Sequence, residues 1–152
     1  MAATCAGSEV VSACPTPVPG SREEGMLSEA RTQAGFSILY PCQLPNSQRL
    51  SNTTVIGEPG RQQAELVFIG PFDLTIRQSQ YPPAVSPDPS GASRITIDLF
   101  PNVRASLIER NDGSSSALYH LFWDRDGIFY EVQAAGPSQE RRTILLIATS
   151  LQ

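Results

Sequence analysis

Lysine is absent from this chain, and histidine occurs once, at position 120. All 11 basic residues are arginines, spread from Arg22 to Arg142, and 15 acidic residues bring the formal net charge to -4. A nucleic-acid binder needs a basic stripe that displaces counterions from phosphates, so we predict no nucleic-acid partner. No apolar run approaches the roughly 20 residues of a membrane-spanning helix, so no such span is predicted in this sequence.

Side chains that perform chemistry are equally scarce. One histidine and three cysteines leave little material for a metal site or for a nucleophile with its base. We therefore predict no catalytic residue, no metal ligand and no cofactor, and the chain is interpreted as a non-enzyme. Hydrophobic residues make up 40% of the sequence, which is enough for a core, and 152 residues suit one domain with a tail.

The first 20 residues are small, polar and rich in proline, and they show no hydrophobic period. Pro15, Pro17 and Pro19 alternate with other residues, which favours an extended spacer because each proline fixes its own φ. The stretch has neither the basic start nor the apolar run of a signal peptide. We predict that residues 1–20 are a flexible tether and that residues 21–152 form one domain.

The three cysteines are Cys5 and Cys14 in the tail and Cys42 in the body. Proximity in sequence favours a Cys5–Cys14 disulfide, because short loops close at low entropic cost. A Cys14–Cys42 bond is the alternative and would attach the tail to the domain. Cys5 is also a candidate for lipid attachment, since it follows small residues, and unreactive free thiols are a third alternative.

Periodicity predicts helix, then many strands, then helix. Ser21 with Glu24 has the form of a capping box, and the spacing predicts a helix over 22–34 that stops at Gly35. Ser138 is a candidate cap for a last helix. Strands are predicted at 36–40, 49–57, 64–69, 72–78, 94–100, 103–109, 116–123 and 128–133. The fold class is therefore α+β, with an antiparallel, meander-like sheet on which an N-terminal and a C-terminal helix pack.

Residues 79–93 hold four prolines and no period, which predicts a long loop between two strands. Loops of this length are uncommon and are often functional. Tyr81, Pro82 and Pro83 lie together in it, and stiff aromatic and proline surfaces lose little entropy on docking. We predict a partner-binding site at these three residues.

Two other motifs are interpreted as structural. His120 lies in a predicted strand, and the sequence shows neither a nucleophile nor a carboxylate beside it, so we interpret it as a partly buried, hydrogen-bonded histidine. Asp124-x-Asp126-Gly127 resembles part of a calcium loop, but position 12 of such a loop would be Ala135 and not glutamate. We predict a hairpin turn there.

Several motifs resemble a bacterial extracytoplasmic domain family of unknown function. The matching segments are 35–45 (GFSILYPCQLP), 74–78 (LTIRQ), 121–132 (LFWDRDGIFYEV) and 147–151 (IATSL), and the resemblance covers about residues 28–151. Family members are found in lipoproteins and in the external part of anti-sigma-factor-like membrane proteins. The resemblance implies a location in the cell envelope and carries no catalytic residue.

These observations lead to one functional hypothesis and its alternatives. We predict a non-enzymatic binding or sensing module of the cell envelope, displayed on a tether, whose partner is another envelope protein. The alternatives are a carrier or chaperone-like lipoprotein that encloses an apolar ligand between sheet and helices, and an accessory subunit of a membrane complex. In each case the membrane is reached only through the tether or a lipid anchor.

Overall fold

The fold is described by a computed structural model covering residues 17–45, 47–84, 87–111, 117–136 and 141–152. Within these described ranges, two helices and seven strands follow one another. They are α1 (Arg22–Gln33), β1 (Arg49–Ile56), β2 (Gln63–Ile69), β3 (Asp73–Ser79), β4 (Ser93–Phe100), β5 (Val103–Asn111), β6 (Ala117–Arg125), β7 (Ile128–Gly136) and α2 (Arg141–Thr149). The predicted α+β class and both helices are confirmed.

All seven strands form one antiparallel sheet in the order β1-β2-β3-β7-β6-β5-β4. The predicted antiparallel sheet is confirmed, and its meander-like order is confirmed in part, because the order contains one crossover. Strands β1 to β3 form one meander and β4 to β7 form another, and the two join where β3 pairs with β7. The connection from β3 to β4 must therefore pass from the middle of the sheet to its far edge, and residues 80–92, here called the proline loop, make that connection.

The hairpin turns follow their sequence signals. Strand β6 ends at Arg125 and β7 begins at Ile128, so Asp126 and Gly127 form a two-residue turn. Their φ angles are 53° and 82°, and two positive values are what a tight hairpin with right-handed strand twist requires. The hairpin interpretation of this motif is confirmed. The turn also fixes the register of β6 and β7, which determines which of their side chains share a face.

Helix α1 begins at the predicted cap. The Ser21 hydroxyl oxygen accepts a hydrogen bond from the Glu24 backbone N–H at 3.2 Å, and Glu24 Oε1 accepts one from the Gly20 N–H at 2.8 Å. Both bonds satisfy backbone donors near the start of the helix. At the other end, the Gln62 side chain accepts from the Gly35 N–H and donates to the Gln33 carbonyl. The helix thus ends at Gln33, one residue before the predicted last helical residue.

The predicted strand at 36–40 is wrong. Residues 36–45, here called the strap, cross the helical side of the sheet outside the seven strands. Tyr40 exchanges backbone hydrogen bonds with Gln152 at 2.8 and 3.1 Å, and the side chain of Gln78 bonds both the N–H and the C=O of Leu39. The segment is apolar like a strand because it is part of the core. Its backbone is hydrogen-bonded to the C-terminus and to the side chains of Gln78 and Arg31, which a strand pattern cannot reveal.

One face of the sheet carries the core. Both helices and the strap pack there, through Leu27 and Ala30 of α1 and through Ile144, Ile147 and Ala148 of α2. Facing them are buried strand residues, which include Ala64, Leu66, Phe68, Leu74, Ile76, Leu107, Leu121 and Val132. Because side chains alternate along a strand, the residues between these lie on the opposite face. Neither α1 nor α2 packs on that face, and the candidate site lies on it.

Candidate ligand pocket beneath the proline loop

A pocket of about 280 Å³ lies between the proline loop and the face of the sheet opposite the helices. The loop forms one wall and strands β4 to β7 form the other. The pocket, here called the loop pocket, is lined by Pro83, Ala84, Pro87, Pro89, Arg94, Ile108, Leu118, His120, Phe122, Glu131 and Gln133. Its walls are thus mainly apolar, with a small group of charged and polar side chains among them. Such mixed, concave sites are typical of ligand binding.

His120 and Glu131 form a hydrogen-bonded pair in this pocket. The register of β6 and β7 places Phe122 opposite Glu131 and Gln133 opposite His120, so all four share one face. His120 Nε2 lies 2.8 Å from Glu131 Oε1. The two side chains are only 23% and 11% exposed, so the proline loop shields the pair from solvent. The carboxylate that the sequence could not place beside His120 comes from the neighbouring strand.

The His120 hydrogen bond holds the pKa of Glu131 below its ordinary value, and the charges of His120 and Arg77 act in the same direction. Burial alone would raise this pKa, but it is outweighed. Glu131 is therefore a carboxylate at neutral pH. Arg77 itself is held by Glu65, at 2.6 Å, and by the side-chain oxygen of Gln133, at 2.8 Å.

An ion pair fastens the proline loop to the sheet. Asp88 of the loop accepts two hydrogen bonds from Arg94 of β4, from Nε at 3.1 Å and from a terminal nitrogen at 2.7 Å. The Arg94 guanidinium also lies 5.3 Å from the centre of the Phe122 ring. The hydrogen bonds from Arg94 lower the pKa of Asp88, so this pair is ionised at neutral pH. Because both partners are exposed to solvent, the pair is expected to position the loop more than to stabilise the fold.

The predicted partner residues Tyr81, Pro82 and Pro83 do not converge on one point. Pro83 lines the loop pocket, and Pro82 is exposed. Tyr81 lies near Arg61, whose guanidinium is 5.4 Å from the ring centre. The loop location stays a prediction for partner binding, and the structure adds His120, Phe122 and Glu131 as neighbours of Pro83. Period-two alternation together with the Asp126–Gly127 turn would have placed these three on one face, but nothing local indicates that the loop covers them.

Cys42, a predicted disulfide cysteine, is buried. Its backbone N–H donates to the Ser150 carbonyl at 3.1 Å, which anchors this part of the strap beside the C-terminus. Cys5 and Cys14 lie outside the described residues, as do most of the predicted tether and the candidate cap Ser138. The partner of Cys42 and the lipid attachment at Cys5 therefore stay predictions.

A larger, open groove runs beside helix α2, with Arg110, Arg141 and Arg142 along it. Arg141 is paired with Glu109, and Arg110 donates to the Ser90 carbonyl at 3.4 Å. Two of its three cations are thus held by partners within the domain. In the described part of the chain, no helix is long and apolar enough to cross a membrane, and no group of three or more His, Cys, Asp or Glu could hold a metal ion.

The carboxylate of Glu131 should make stability depend on pH. Its folded-state pKa lies below the ordinary value, so its contribution is present at neutral pH and is lost as the pH falls through the lowered pKa. We expect Glu131→Gln to lower the free energy of unfolding by about 1 kcal/mol at pH 7, the difference between a charged and a neutral hydrogen bond. Urea unfolding of both proteins between pH 7 and pH 3 should show the difference shrinking in acid. A difference that grows in acid would contradict this account.

Comparison with known proteins adds no relative. The chain matches no family model, no curated protein and no solved structure. The resemblance to an extracytoplasmic domain family therefore stays a prediction, and the function must be argued from the site itself.

Proposed function

We propose that this chain is a non-enzymatic binding or sensing module of the bacterial cell envelope, displayed on its N-terminal tether. The loop pocket carries the proposal. It combines a stiff proline wall, an aromatic and aliphatic floor, and a buried carboxylate. Convergent polar groups in a mainly apolar concavity are what specific recognition of a ligand requires.

Two further observations support a location in the envelope. The tail has the composition of a spacer, and we expect the buried Cys42 to form a disulfide with a tail cysteine. Disulfides persist in oxidising compartments and are rare where thiols are kept reduced. Both properties suit a domain held away from a membrane by a tether or a lipid anchor.

Binding is a better account of the site than catalysis. A histidine oriented by a carboxylate can act as a general base, but it then needs a nucleophile to activate. Within the described residues, His120 is hydrogen-bonded to Glu131 and to no serine, threonine or cysteine. The carrier alternative placed an apolar ligand between the sheet and the helices, and core side chains fill that layer. The observed pocket is on the other face and is small, which favours recognition over carriage.

Replacing residues 82–89 with a Gly/Ser linker of equal length should separate binding from folding. We expect the variant to fold, because the core lies on the opposite face, with a cost of about 2 kcal/mol for uncovering Ile108 and Phe122. Chemical cross-linking of the tethered protein in the envelope of the producing cell should then lose the cross-links to its partner.

The matched control replaces Glu29, on the exposed face of helix α1, with serine. It should retain every cross-link, because α1 packs on the other face of the sheet. Full partner binding by the folded loop variant would place recognition elsewhere, and an exposed edge strand such as β1 would then be the next surface to test.

A further inference from the structure

Two arginines near the loop pocket are each paired with a carboxylate. Arg94 is paired with Asp88 in two hydrogen bonds, and Arg77 is paired with Glu65. Glu131 is hydrogen-bonded to His120 and, among the described residues, to no arginine. A ligand in the pocket therefore meets the Glu131 carboxylate beside an imidazole ring.

Glu131 also keeps hydrogen-bonding capacity. A carboxylate can accept several hydrogen bonds, and the His120 contact uses one of its two oxygens. The side chain is 11% exposed, so Glu131 is buried yet still accessible from the pocket. A donor arriving there would form a charge-assisted hydrogen bond in a partly desolvated place, where such bonds are strong.

The rest of the pocket selects for a compact apolar body. Pro83, Pro87 and Pro89 form one wall, and Ile108, Leu118 and Phe122 lie in the other. Ligand pockets for whole drug-sized molecules usually measure about 300–1,000 Å³, and this one, at about 280 Å³, suits a single ring or one short alkyl chain. The contact between the Arg94 guanidinium and the Phe122 ring shows that a cation is accommodated beside this aromatic surface.

We propose that the loop pocket binds a primary ammonium group carried on a compact apolar chain, with the ammonium donating to Glu131 and the chain lying between the proline wall and Phe122. This inference rests on the proposed function and names the ligand chemistry of its site. A free alkylamine and the side chain of a lysine on a partner protein present the same chemistry. An anionic ligand is disfavoured, because its charge would lie beside the Glu131 carboxylate.

Titrating the full chain with four probes, followed by amide NMR shifts of residues 118–122 and 130–133, tests the proposal. Hexylammonium should bind saturably and about tenfold more tightly than hexanol, which has the same chain without the charge, and hexanoate should bind more weakly still. Nα-acetyl-lysine methylamide distinguishes the two sources. Binding comparable to hexylammonium indicates a peptide lysine, and binding much weaker than hexylammonium indicates a free amine.

Glu131→Gln should weaken hexylammonium binding about tenfold or more, because it removes the charge and keeps the shape. Glu29→Gln, a matched change on helix α1 on the other side of the sheet, should leave binding unchanged. The comparison of probes on the unaltered protein remains decisive if Glu131→Gln folds poorly. Tighter binding of hexanol or hexanoate than of hexylammonium would overturn the ammonium assignment while still showing a ligand site. The absence of an NMR shift with every probe would also overturn the ammonium assignment. The cross-linking assay would then test the proposed binding function separately.

Discussion

Replacing Gln78 with leucine is expected to lower the free energy of unfolding by about 2–4 kcal/mol. Gln78 is fully buried on the core face of β3. Its side-chain oxygen accepts from the Leu39 N–H at 2.8 Å, and its side-chain nitrogen donates to the Leu39 carbonyl at 2.9 Å. Leucine would fill the space but would leave the N–H and the C=O of Leu39 without these partners. An unpaired buried polar group costs about 1–3 kcal/mol.

Chemical denaturation measures this loss, and hydrogen exchange locates it. The Leu39 amide should lose more protection than amides in β6 and β7, because the change acts on the strap first. Gln43→Leu makes the same substitution at an exposed position of the strap and should shift stability by less than about 0.5 kcal/mol. Equal stability of the two variants would mean that other contacts hold the strap.

Removing the disulfide that we propose at Cys42 is the second change with a large expected effect. We expect Cys42→Ala to lower the free energy of unfolding by about 2–4 kcal/mol, because the cross-link restricts the unfolded chain. Under non-reducing conditions, peptide mapping should find Cys42 linked to one of the tail cysteines, Cys5 or Cys14. Such a bond would tie the predicted tether to the domain near the C-terminus.

Reduction provides the control for this change. Treating the unaltered protein with a reductant should lower its stability to that of Cys42→Ala, and the variant itself should not respond. Three freely alkylatable thiols in protein purified without reductant would contradict both the bond and the proposed location in the envelope.

The strands were predictable because their pattern has a local cause. A sheet with one buried face imposes alternation, and Leu74 and Ile76 against Thr75 and Arg77 follow it. The turn at Asp126 and Gly127 was predictable for a similar reason, since only certain residues adopt positive φ at low cost.

The strap and the loop pocket were not predictable, because both depend on contacts between segments far apart in the chain. The apolar run around Tyr40 has the same local pattern whether it joins the sheet or crosses it. The buried side chain of Gln78 holds this run outside the sheet, and it lies 39 residues along the chain from its partner Leu39. The loop pocket depends in the same way on where the β3–β4 connection runs, and that follows from the pairing of β3 with β7. No nearby residue signals this pairing.

The join between the two meanders also bears on how fast the protein folds. Within each meander, consecutive strands pair across short turns, so these contacts form at small cost in chain entropy. The join is different. Arg77 on β3 meets Gln133 on β7, 56 residues later, and all of β4 to β6 lies between them. Closing a loop of that length is the costly step, so we expect the two halves to become ordered first and the β3–β7 seam to set the folding rate. The proline loop, which covers the pocket, thus also belongs to the connection that raises the contact order of the sheet.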